Sequence, residues 1–167
     1  MTRDKFQALE PTRQDVVRVA RSLVGRLPSG RPKIRFRHQG RSPRTGMDCA
    51  GLLVWVGHEL GYRPDWDFRA YERYPDGKTL QRVLSDPLVR TGHTFNDASP
   101  GDIVLLRDVA VRWPMHLGIV GDHPSGELSL IHSWVVVRGV VESALPPEWT
   151  FKVEGIYSFP WLVGKDW

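Results

Sequence analysis

The apolar positions near the start of the chain repeat at helical spacing. Val16, Val17, Ala20, Leu23 and Val24 fall on one stripe, and Thr12 with Asp15 three residues on has the form of a capping box. This spacing predicts a helix from about Arg13 to Val24. A Gly-, Pro- and Arg-rich stretch, GRLPSGRPKIRFRHQGRSPRTG, breaks the pattern. A second apolar run begins behind Asp48, a good helix cap, and continues to about Leu60, with Gly61 as its stop. The text from Tyr62 to Pro100 is mixed, with a short helix expected over Lys78–Ser85.

After Pro100 the period changes. GDIVLLRD, MHLGIVGD, ELSLIHSW, VVVRGVVE and KVEGIYSF are short β-branched segments separated by Gly, Pro and Asp turns, and each reads as a strand. Helices first and an antiparallel meander second give an α+β layout rather than an alternating α/β one. No linker or repeat divides the chain, so residues 1–167 are expected to form one domain.

Composition sharpens this picture in two places. A hydrophobic fraction of 41% with seven Trp belongs to a packed globule, and no apolar run is long enough to span a bilayer. The first residues carry charges and no apolar h-region, so no secretory signal is expected there, and synthesis in the cytoplasm follows. The single cysteine excludes an internal disulfide framework. Charge is uneven: between Asp15 and Asp48 there is no acidic residue, while Arg and Lys recur from Arg18 to Arg44. Such a segment attracts anions, whether nucleic acid, acidic lipid head groups or an acidic envelope polymer, and it also suits a plain solvated loop. No nucleic-acid motif or interleaved aromatic platform accompanies it, so no nucleic-acid partner is expected.

The candidate chemistry lies at Cys49. Behind an Asp48 cap it falls in the first helical turn, where unpaired N–H groups favour thiolate and could stabilise an oxyanion. On this ground its pKa is expected below the free value. A lone Cys beside Ala, Gly and Leu is nevertheless most often an inert core residue. A nucleophile needs a base, and the histidines can be filtered. His58 lies on the far side of the same helix, His38 in the basic loop, and His93 and His123 in Gly-rich turns. His116 and His132 interrupt apolar strands instead. If GDHPSGE closes a hairpin centred on Pro124, Gly118 pairs with Leu130 and His116 directly with His132, on one sheet face. One ring could then serve as base and the other orient it. No close Cys/His pairs with zinc spacing occur, so no metal and no cofactor is expected.

Four motifs in order carry a resemblance: Asp48-Cys49-Ala50-Gly51, Pro100-Gly101-Asp102, His116-Leu117-Gly118-Ile119 and Ile131-His132. Together they resemble the NlpC-type cell-wall cysteine peptidases, a papain-like family, over about residues 13 to 159. The loop FRHQG, the run VVESALPPEW and the closing GIYSFP look most like the cell-wall peptidases of phages and gene-transfer agents. The resemblance implies a papain-like α+β fold with the Cys-bearing helix packed on an antiparallel sheet. It implies Cys49 as nucleophile, His116 as base and His132 as its orienter. Asp48, Ala50, Phe36 and Trp134 are the implied substrate-contacting positions. The implied substrate is the peptidoglycan stem peptide, cut at a γ-D-glutamyl bond to a diamino acid. Tail-tip proteins would be partners, and the virion tail the setting. Ala50 replaces a Ser found in many members, and Phe36 a Tyr, so a hydroxyl and a phenol are missing at those positions. An amidase or acyltransferase on the same scaffold, or a non-catalytic tail-tip or wall-binding protein, remain alternatives.

Overall fold

In a computed structural model, residues 10–69, 71–72, 77–108, 114–144 and 151–167 are described. Thr12 opens the first helix, α1 (Arg13–Arg21), with both halves of the capping box formed: Thr12 Oγ1 accepts from the Asp15 amide, and Asp15 accepts from the Thr12 amide. The helix ends three residues before the apolar stripe does. Leu23 and Val24 bond to carbonyls three residues back, tightening the last turn before Gly25.

The second helix, α2 (Cys49–Glu59), is capped by Asp48, whose carboxylate accepts from the Gly51 amide at 2.8 Å. It turns off at Gly61, which has φ 77°. Two short strands, β1 (Arg41–Ser42) and β2 (Gly46–Met47), form a hairpin just ahead of it. A third helix, α3 (Gly77–Ser85), leads to β3 (Val89–Gly92), a strand the sequence pattern did not reveal. The remaining strands are β4 (Ile103–Asp108), β5 (Pro114–Asp122), β6 (Leu128–Trp134), β7 (Gly139–Ala144) and β8 (Phe151–Ser158). Among the described residues they build a sheet in the order β3-β8-β4-β5-β6-β7, antiparallel at every junction. The meander is therefore complete from β4 to β7, and β8 returns to cover the free edge of β4.

The expected strand from Val135 starts later. Val135 to Arg138 form the turn between β6 and β7, closed by Trp134 opposite Gly139, with Arg138 at φ 62°. The valines read as strand formers, but the turn leaves Val135 and Val136 in solvent.

Each face of the sheet buries its own apolar set. Leu105, Leu117, Ile119 and Ile131 join Leu52, Leu53 and Val56 of α2 in the larger core. Val104, Leu106, Val120, Leu130 and Ile156 form a second cluster. The Pro100-Gly101-Asp102 turn is fixed from inside: the buried Asp102 accepts from Arg13 at 2.7 Å, from the Ser99 amide at 2.8 Å and from the Ser158 hydroxyl. Arg21 likewise joins α1 to β7 through a two-pronged contact with Glu142. This α+β architecture, with Cys49 opening a helix packed on an antiparallel sheet, is the layout expected from the sequence.

Candidate active site

The chain entering α2 lies where β5 and β6 part. Their pairing runs from Asp122 opposite Leu128 to Ile119 opposite Ile131. Beyond that point the Leu117 N–H is directed at the Cys49 sulfur, and the Ser133 hydroxyl donates to the Met47 carbonyl at 2.7 Å. Cys49 therefore starts its helix against the strand that carries His116. Gly51 allows the close fit, because a Cβ there would meet the Gly40 carbonyl oxygen at 1.9 Å.

The hairpin register differs from the expected one. It is centred on Ser125, not Pro124, so Val120 pairs with Leu130. Continued along the strands, this places His132 opposite Gly118 and makes the two histidines diagonal neighbours instead of direct partners. The slip is an even number of positions, so both rings stay on one face. Gly118 presents no side chain between them, and His116 Nε2 lies 2.7 Å from His132 Nδ1. The rings meet edge to face with centroids 4.9 Å apart. His132 Nε2 in turn lies 3.1 Å from Ser143 Oγ. Trp134 stacks on His132 at 5.6 Å.

The electrostatics run against the expected thiolate. Burial, with the Asp48 charge next to it, pushes the Cys49 thiol up to about 12, and the N–H groups of Leu117, Ala50 and Cys49 only partly oppose this. Burial also lowers His132 to about 4, and burial followed by the neighbouring His132 lowers His116 well below 6.5. At neutral pH Cys49 is thus a thiol and both imidazoles are neutral. The helix N-terminus contributes in the expected direction, but desolvation and the capping carboxylate outweigh it.

Asp48 is buried and surrounded by donors. Besides Gly51 it accepts from the Gln39 amide and the Tyr71 hydroxyl, each at 2.6 Å, and from Arg41 at 3.2 Å, with His38 Nδ1 at 3.8 Å. Burial and the Asp48 charge hold the Tyr71 phenol protonated. A phenol thus stands beside the cysteine's capping residue after all, supplied from downstream and not from the Phe36 position. Ala50 is fully buried in the larger core. Phe36 is bridged to Met47 through the backbone and lines a separate groove with Val135 and Arg138.

Sequence reasoning missed Tyr71, Arg41, Gln39, His38 and Ser143. Their spacing carries no periodic signal; only Asp48, as a carboxylate next to a buried helix start, hinted that donors must gather around it. The other histidines are engaged elsewhere: His58 Nε2 lies 2.8 Å from the Trp66 carbonyl, His93 contacts Arg90, and His123 contacts Ser125. Among the described residues no three His, Cys, Asp or Glu side chains gather as metal ligands. None of the described helices is long and apolar enough to cross a membrane.

No protein-family model and no curated protein matches the sequence. Solved structures do match in fold. A lipoprotein-like protein of the NLP/P60 family from Staphylococcus aureus subsp. aureus Mu50 superposes with a TM-score of 0.55 at 16% identity, over 88% of this chain. NlpC2 from Trichomonas vaginalis superposes with a TM-score of 0.59 at 15% identity, over 95% of this chain. This chain spans 41% and 50% of those two proteins, respectively. What the comparison establishes is the fold: this chain has the architecture found in the NLP/P60-family protein and in NlpC2.

Proposed function

We propose that the protein is a cysteine peptidase that hydrolyses peptidoglycan stem peptides, at a γ-D-glutamyl bond to a diamino acid. The observation that carries this reading is that Leu117, the residue after His116, bonds the helix-opening Cys49, while His116 itself is hydrogen-bonded to His132 on the neighbouring strand. The shared fold with an NLP/P60-family protein supports it. The resemblance carried by the motif order supports the same substrate, and that carried by FRHQG, VVESALPPEW and GIYSFP supports a setting in a phage tail, with tail-tip proteins as partners.

In this mechanism the Cys49 sulfur attacks the amide carbonyl as its proton passes to His116. His116 uses Nε2 toward His132, so the exchange with sulfur runs through Nδ1. Amide N–H groups of the first turn of α2 stabilise the developing oxyanion. The imidazolium then gives its proton to the leaving amine, the C–N bond breaks, and a thioester remains. Water, deprotonated by His116, attacks the thioester and releases the thiol, which takes the proton back. Because thiol and imidazole rest neutral, proton transfer accompanies attack and does not precede it. Asp48 supports the site from behind by capping α2, and Trp134 faces the orienting ring.

The test is mass spectrometry of purified peptidoglycan fragments after incubation with the wild type and Cys49→Ala. New stem-peptide termini with the wild type alone are expected. Intact stem peptides with both would overturn the reading and favour another acyl substrate or a non-catalytic wall-binding role.

A further inference from the structure

The basic segment between Asp15 and Asp48 is not absorbed by the mechanism, and it builds one wall of a groove of about 810 Å³. Five cations line the groove: Arg31, Lys33, Arg35, Arg44 and Arg138. Among the described residues no carboxylate lines it. Several arginines elsewhere are paired, as Arg13 with Asp102, Arg21 with Glu142, Arg41 with Asp67 and Arg107 with Glu154. Among the described residues none of the five groove cations has an acidic partner within 4.0 Å. Lys33 and Arg35 reach only the backbone carbonyls of Ser22 and Thr45. Like charges held together without counter-charges repel one another, and an anion seated among them relieves that repulsion.

Position ties the groove to the candidate site. Phe36, on its wall, is bridged to Met47, two residues before Cys49. Val135, also in its lining, follows Trp134, which stacks on His132. The remaining lining is apolar, including Leu27 and Val137. A groove with convergent cations and apolar walls suits a peptide bearing several carboxylates on short apolar residues.

The geometry points to this groove as a subsite for the free carboxylates of an anionic peptide, extending the substrate-binding surface beyond the cysteine. The inference rests on the peptidase reading for the identity of the peptide, but not for binding itself. Specificity then follows from charge: a stem peptide with free carboxylates is held, and its amidated counterpart is not.

Titration calorimetry on the Cys49→Ala protein tests it, because binding is read without turnover. The probes are the tripeptide L-Ala-γ-D-Glu-diaminopimelate and the same peptide with its carboxylates amidated. The free acid is expected to bind at least tenfold more tightly. An Arg44→Gln/Arg138→Gln double variant should lose most of that advantage, Arg44→Lys/Arg138→Lys should retain it, and Arg63→Gln, outside the groove, should leave it unchanged. Equal affinity for the two peptides, or an advantage that survives in the Gln double variant, overturns the subsite. Tighter binding of a single-stranded oligonucleotide than of the tripeptide at 150 mM salt (about physiological ionic strength) overturns it as well. Turnover by the wild-type protein is scored separately. Cleavage without a charge preference removes the subsite and leaves the peptidase, whereas a charge preference without cleavage does the reverse.

Discussion

His116 Nε2 lies 2.7 Å from His132 Nδ1, a hydrogen bond made between diagonal positions of neighbouring strands. Only one proton can sit between the two nitrogens, so the tautomer of each ring fixes that of the other. If His116 donates, its Nδ1 is the basic nitrogen and His132 Nε2 carries a proton toward Ser143. This is the arrangement in which His116 can take a proton from a thiol.

The first prediction separates the two rings. His116→Ala removes the base and should lower turnover of muropeptides by about 10³-fold or more, in the range of losing a general base or nucleophile partner. His132→Gln keeps a hydrogen-bonding side chain and should leave measurable activity. Equal losses in steady-state kcat/KM would show the roles to be misassigned.

Ser143 is expected to act as a positioning residue through His132. Losing a hydrogen bond worth about 1 kcal/mol predicts a roughly fivefold fall in kcat/KM for Ser143→Ala, with Ser143→Thr restoring it. The nitrogen chemical shifts of His132 should report a changed tautomer mixture in the Ala variant. Unchanged shifts would remove Ser143 from the relay.

The thiol should titrate late. With Cys49 pushed up to about 12, the rate of alkylation by iodoacetamide should keep rising with pH through 9 and 10 (a free thiol would level off near ~8.5). A plateau reached below pH 8 would reveal a resting thiolate and contradict the neutral site.

Acid should loosen the fold through the same histidines. Both are buried and neutral, with folded pKa values below the unfolded 6.5. Below 6.5 the unfolded chain binds protons that the folded chain does not, so stability is full above pH 6.5 and falls as pH drops toward 4. For His132 the difference between 6.5 and about 4 is worth roughly 3 kcal/mol. Denaturant midpoints measured from pH 7.5 to 4 should show this fall, and His132→Gln should flatten it.

The buried Arg13–Asp102 pair predicts a stability effect away from the chemistry. Asp102→Ala strands the guanidinium in the interior and should cost about 3–5 kcal/mol by urea unfolding. An Arg13→Met/Asp102→Leu double replacement should recover only part of that loss, because the Ser99 amide and the Ser158 hydroxyl stay without their acceptor. A single-variant cost below about 1 kcal/mol would show the pair to be solvated.

Local pattern alone determined where most elements form. The Thr12–Asp15 box, the Asp48 cap, the Gly61 stop and the β-branched runs after Pro100 are short-range signals, and short-range geometry obeys them. Pattern also placed His116 and His132 on one face, because face depends only on the parity of a register. Tertiary structure decided what parity cannot. The turn's centre shifted the pairing, so the histidines meet diagonally across Gly118. Folding also brought Tyr71, Gln39 and Arg41 onto Asp48 from loops whose sequence has no period. The charge state of Cys49 was decided in the same way: a helix start favours thiolate locally, but desolvation and a buried carboxylate depend on what the rest of the chain packs around the sulfur.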